Sequence, residues 1–245
     1  MVNRASGRLL PALCTLSLCI STAQAGNTGG VFGPVISAQD RSIQYRYAQN
    51  STELDSNEDF THRLHYQNAL DQSTRLRVVG QFREGEDGHN FDQLRLEGQW
   101  QFRDSRQQPN RWDSALRLDV VKRRGNLPTD LGINWTNQWA LSETVKLTAV
   151  LLSARQFGDS RLAGLQISSR FSLAYRYHGS HTLALESFNN HGPLNHLQLA
   201  GHRPQQIGPA LSGRWQKLGY KLGYLRGTTS VAPDDTLALW FTYAL

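Results

Sequence analysis

The chain has 245 residues, 26 Lys and Arg against 20 Asp and Glu, a net charge of +6, 39% hydrophobic residues and a mean hydropathy of −0.49. No stretch after residue 25 approaches the roughly 18 apolar residues of a helical span, which excludes a helical membrane protein. The basic excess falls to about +4 without Arg4 and Arg8 and contains no basic run, so nucleic acid is not an expected partner.

Residues 1–25 read as a cleavable secretory signal. Arg4 and Arg8 make a positive start, Leu9 to Ile20 is a short apolar run, and Ala23-Gln24-Ala25 is a small-x-small cleavage site. Cys14 and Cys19 lie inside this segment, each preceded by Leu rather than Gly, Ala or Ser, so a lipid anchor is not expected. The mature chain would begin near Gly26 without a cysteine, which removes disulfides, thiolate metal sites and a cysteine nucleophile. No cofactor is expected. Residues 26–39 open on Gly26-Asn27-Thr28-Gly29-Gly30, which lacks the lysine and strand–helix context of a phosphate loop and reads as a flexible leader. Residues 40–245 read as one domain.

From there the chain alternates with a period of two, the mark of strands. Ile43, Tyr45 and Tyr47 open the series, followed by Phe60, Leu64 and Tyr66, then Leu76, Val78, Gly80 and Phe82, then Leu94, Leu96, Gly98, Trp100 and Phe102. Leu116, Leu118 and Val120 come next, then Leu131, Ile133, Trp135 and Trp139, then Val145, Leu147, Ala149 and Leu151. Leu165, Ile167, Phe171, Leu173, Tyr175 and Tyr177 mark an interrupted strand. Leu183 and Leu185, Leu197 and Leu199, then Trp215, Tyr220, Leu222 and Tyr224 mark the remainder before the last one. Asn50–Asp59, Glu84–Asn90, Asp104–Arg111 and Arg123–Asp130 are rich in Asp, Asn, Gly, Gln and Pro and read as loops; Asp71-Gln72-Ser73 and Ser142-Glu143 read as short turns. The segments number 11 to 14, the ambiguity lying at 161–178 and 207–226. The expected fold is an all-β, antiparallel transmembrane β-barrel of about 12 strands, with 10 to 14 as the range. Tyr45, Trp112, Trp135, Trp139, Tyr175 and Tyr243 suit its aromatic girdles. The competing fold is a soluble β-sandwich, which seldom sustains such alternation over ten long strands.

The last nine residues alternate to the end, with Leu237, Leu239, Phe241, Tyr243 and Leu245 in one apolar row. A soluble protein would risk aggregation with such a final strand; a barrel wall in lipid calls for it. The row resembles the C-terminal signal of Gram-negative outer-membrane proteins, with Leu245 where Phe or Trp is usual. The resemblance implies outer-membrane lipid and the barrel-assembly machinery as partners. From Gln206 on, Ile207-Gly208-Pro209-Ala210-Leu211-Ser212-Gly213, Gly219–Gly227 and Ala232-Pro233-Asp234-Asp235-Thr236-Leu237 resemble the ends of uncharacterised exported outer-membrane proteins of proteobacteria, which implies the barrel and no activity.

With the apolar rows facing lipid, the other rows line a lumen rich in arginine: Arg46, Arg63, Arg75, Arg77, Arg83, Arg95, Arg103, Arg117 and Arg176, against Glu97, Asp119 and Glu186. An arginine excess favours anions. The expected function is a small passive pore for anionic solutes, similar in size and lumen charge to the small oligogalacturonate-type porins. The alternative is a structural or interaction barrel in which Arg95, Glu97, Arg117 and Asp119 pair across strands and fill the lumen. A third reading is a rim hydrolase using His191, His196 and His202 near Asn189, Asn190 and Pro193, or His178 and His181 around Gly179-Ser180. The expectation is a protein without enzymatic activity. His62 and His65 are three apart, so on a strand they point to opposite faces and cannot share a metal.

Overall fold

The computed structural model describes residues 29–52, 55–85, 88–107, 111–198 and 201–245. The signal segment with Ala23 and Ala25 lies outside the described residues. Twelve strands follow in chain order: β1 (Arg41–Thr52), β2 (Asp55–Ala69), β3 (Thr74–Gly85), β4 (Gly88–Arg103), β5 (Trp112–Arg123), β6 (Thr129–Ala140), β7 (Val145–Phe157), β8 (Leu165–His178), β9 (His181–Pro193), β10 (Gln205–Trp215), β11 (Leu218–Gly227) and β12 (Asp235–Ala244). Sequential strands pair antiparallel, and β12 closes onto β1 with Ala244 opposite Ser42 and Asp235 opposite Ser51. Closure leaves no unpaired edge, the condition for a sheet to cross hydrocarbon.

The alternation decides which face is which. Leu118 is 60% exposed, while Arg117 and Asp119 on either side of it are 4% and 7% exposed. The same inversion repeats around the wall: Leu76, Leu96, Ile133, Leu173 and Leu185 point out, and Gln99, Asn134, Ser172 and Glu186 point in. Apolar-out and charged-in is stable only where hydrocarbon, not water, surrounds the wall. The fold is a transmembrane β-barrel. The terminal row faces outward as well, with Phe241 and Tyr243 about half exposed.

The barrel has two unlike ends. At the end that holds Arg41 and Leu245, the connections span 70–73, 104–111, 141–144, 179–180 and 216–217. Asp71 shapes the first of these by accepting the Ser73 and Thr74 N–H groups at 2.6 and 2.7 Å. Trp100, Tyr175 and Trp215 are exposed near this terminal end, and Trp112 stacks on Trp139 there with ring centroids 6.4 Å apart. At the distal end the longer connections are 158–164, 194–204 and 228–234.

Three expectations need correction. Asn50–Asp59 and Glu84–Asn90 are not loops: β1 and β2 continue to a two-residue connection at 53–54, and β3 and β4 to one at 86–87. A strand that rises past the lipid has no apolar face to present, so its sequence loses the alternation. Leu197 is not on a strand; it follows a 3-10 turn at Leu194–His196 and is exposed, and Leu199 lies outside the described residues. The ambiguity at 207–226 comes from Gly208-Pro209. Pro209 has no N–H to give the ladder, and a Cβ on Gly208 would sit 1.9 Å from the Tyr224 carbonyl oxygen, so β10 and β11 touch backbone to backbone there.

Candidate functional site in the lumen

The inward rows carry many buried amides and hydroxyls, among them Gln99, Gln101, Asn134 and Thr136. Such groups need hydrogen-bond partners, and the leader supplies several. The Ile36 N–H donates to Gln101 Oε1 at 2.8 Å, and Gln99 Nε2 donates to the Gly33 and Pro34 carbonyls at 3.2 and 3.0 Å. Thr136 Oγ1 donates to the Phe32 carbonyl at 2.9 Å, and Arg170 to the Gly30 carbonyl at 2.9 Å. The Phe32 ring lies 3.7 Å from the Arg117 guanidinium carbon, and Ile36 is wholly buried. Gly30 passes so close to Trp240 that a Cβ would lie 1.8 Å from its ring. The expected flexible leader of residues 26–39 is therefore, over its described part, a pinned insert running up the lumen from the terminal end.

The long terminal-end connection at 104–111 has a part in this. Arg106 donates to the Ile36 carbonyl at 2.8 Å while Asp104 grips its guanidinium at 2.7 Å. That grip holds the Asp104 carboxyl below its ordinary range. Arg75 and Gln67 both donate to Asp40 at the leader's exit.

Above these contacts lies a band of charge. Arg77 pairs with Glu97 at 2.9 Å and Arg117 with Asp119 at 2.8 Å; Arg117 reaches Glu97 at 3.6 Å. Arg95 stands 3.8 Å from Glu97 and 3.7 Å from Asp119. Across the lumen Lys221 pairs with Glu186 at 2.7 Å, and Arg46 and Lys221 lie 3.8 and 4.1 Å from the Trp240 ring centroid. Arg63 bonds Gln81. Two spaces remain. A cavity of about 20 Å³ sits at the centre, where Arg46, Arg63, Arg77, Arg95, Glu97 and Arg117 converge with Arg170, His65, Gly29 and Phe32. Beyond it the distal half is a cup of about 490 Å³, floored by Gly29, Arg63, Arg95 and Arg170 and walled in part by Arg83 and Arg123.

The sequence-derived set divides accordingly. Arg75 lies lower, bonded to Gln99 and Asp40, and Arg83 lies higher, 3.8 Å from Asp92. Arg103 is not a lumen residue. A β-bulge between Gln101 and Arg103 moves its register, so that it pairs with Ser114 and its guanidinium stacks 4.1 Å over the Trp112 ring on the outer side. Arg176 is exposed at the terminal rim and donates to the Glu143 carbonyl. Sequence reasoning missed Arg170 and Lys221. Their signal was parity: Arg170 falls between Ile167 and Phe171 in step with Ser168 and Ser172, and Lys221 between the outward Tyr220 and Leu222.

His191 is not placed as the base of a serine hydrolase. Ser169 Oγ lies 2.8 Å from His191 Nε2, and Arg203 lies 2.7 Å from His191 Nδ1. Arginine only donates, so Nδ1 accepts and Nε2 carries the proton, the reverse of what a base activating Ser169 requires. His181 bonds the Tyr220 hydroxyl and Ser180 the Arg214 carbonyl, and His196 and His202 are exposed. His62 points outward to Tyr45 and His65 inward. Among the described residues no three His, Cys, Asp or Glu side chains group as metal ligands.

No family model matches the chain, and no curated protein matches it in sequence. Solved structures do resemble it. The COG4313 outer membrane channel from Pseudomonas putida F1 is 12% identical, covers 86% of this chain and 98% of its own, and superposes with a TM-score of 0.65. The NanC porin is 10% identical over 84% of this chain and 100% of its own, with a TM-score of 0.58. The KdgM porin in complex with disordered oligogalacturonate is 10% identical over 83% and 99%, with a TM-score of 0.57. At these identities the likeness is one of fold.

Proposed function

We propose that this chain is an outer-membrane channel of Gram-negative type for small anionic solutes, closed at rest by its own leader. The cup of about 490 Å³ carries the reading: its floor and wall hold Arg63, Arg83, Arg95, Arg123 and Arg170 against Asp92 and Asp130. Clustered guanidinium groups between low-dielectric walls concentrate anions and repel cations. The apolar outer wall supports a place in lipid, and the fold shared with porins agrees with a channel. The terminal end would face the periplasm, since the longest connection, 194–204, lies at the distal end and would be outside. Export would follow the general secretory route, and the row Leu237, Leu239, Phe241, Tyr243 and Leu245 would be presented to the assembly machinery. Acidic saccharides such as oligogalacturonate, the ligand in the KdgM complex, are the first solutes to try.

A second reading rests on a separate observation. The leader and the Arg77–Glu97 and Arg117–Asp119 pairs occupy the terminal half of the lumen, as in a barrel that is structural throughout. Recording in a planar bilayer separates the two. Openings with an anion-selective reversal potential support the channel; a barrel silent both with and without residues 29–39 is the structural one.

A further inference from the structure

The central cavity is too small for the solutes of a pore, yet its walls are those of a binding site. Six arginines and one carboxylate line it. Glu97 is already divided among Arg77, Arg95 and Arg117, and Asp119 between Arg95 and Arg117. Arg63 and Arg170 are held by neutral groups, Gln81 and the Gly30 carbonyl. Like charges brought together out of water are costly unless a countercharge joins them. The second observation is His65. It is 3% exposed and lines the cavity, and neither of its ring nitrogens has a hydrogen-bond partner among the described residues. A buried imidazole must give its N–H to something.

A volume of about 20 Å³ admits one small occupant. A neutral water would satisfy His65 but would bring no countercharge to Arg63 and Arg170; a monoatomic anion does both. We infer that the barrel holds a single halide ion, chloride in nature, in the pocket formed by His65, Arg46, Arg63 and Arg170 beneath Gly29. Because Arg170 also grips the Gly30 carbonyl, the ion ties the leader to the wall. The site goes beyond the pore reading, since a halide can be bound here whether or not larger anions pass.

Bromide diffraction tests it directly. Crystals of the full mature protein soaked in sodium bromide should show one anomalous peak in contact with the His65 ring and the Arg63 and Arg170 guanidinium groups. No peak there, with bromide confined to the open cup or the outer surface, or a water alone in the cavity, overturns the proposal. In solution, sodium chloride should raise the thermal midpoint of the detergent-solubilised protein above its value in sodium gluconate of equal ionic strength. His65→Phe should abolish that difference, and an equal rise in the variant contradicts the site. Pore selectivity is read from reversal potentials, so the site and the channel can fail separately.

Discussion

At Gly30 the leader has no room for one more carbon: a Cβ would lie 1.8 Å from the Trp240 ring, which Arg46 and Lys221 hold at 3.8 and 4.1 Å. Gly30→Ala should therefore loosen the insert while leaving the wall intact, seen as higher single-channel conductance with unchanged heat-modifiable migration. The arginines divide by their partners. Arg63 and Arg170 bond neutral groups, so Arg63→Gln with Arg170→Gln should weaken anion preference and spare folding. Arg77 is bonded to the buried Glu97, so Arg77→Glu sets two carboxylates face to face and should cost about 3–5 kcal/mol in a denaturant titration. This division could not be read from the sequence. Alternation says that Arg63 and Arg77 face inward, but which one meets a carboxylate depends on registers such as Arg77 opposite Glu97, which the sequence does not display.

Strands were legible where lipid imposes a period of two, and illegible where it does not. β5, β6 and β7 stand where the alternation puts them because each shows lipid an apolar row, while Arg117 and Asp119, Asn134 and Thr136, and Thr148 and Gln156 are turned inward. The distal ends of β1 to β4 read as loops, since the apolar alternation lapses there while the ladder pairing continues. The leader was the least legible element. Gly29-Gly30-Val31-Phe32-Gly33 has no period, and its fixed path depends on amides, Gln99 and Gln101, that lie more than sixty residues away. Two tests belong at this scale. Replacing Phe241 and Tyr243 by Asp puts charge on the lipid face of β12, each at a cost below the about 2–4 kcal/mol of an Arg or Lys at the midplane, and should impair assembly, measured as loss from the outer-membrane fraction. Gly208→Ala drives a Cβ into the Tyr224 carbonyl, which backbone cannot yield as a side chain would, and should split the β10–β11 seam, seen as loss of the fast-migrating folded form.

For the molecule as a whole, the barrel, its charge and its insert support the proposed channel, held shut at rest. The walls are closed by β1–β12 pairing, the terminal half is occupied by residues 29–39, and the distal half remains a basic cup. The proposal stands on whether removing the insert uncovers an anion path. The measurement is the reversal potential in a planar bilayer under a potassium chloride gradient, for the wild type and for a variant lacking residues 29–39. The wild type should conduct weakly or in rare bursts, and the variant steadily, with a reversal potential displaced toward that of chloride. A cation-selective current from either protein, or silence from both, would contradict the account.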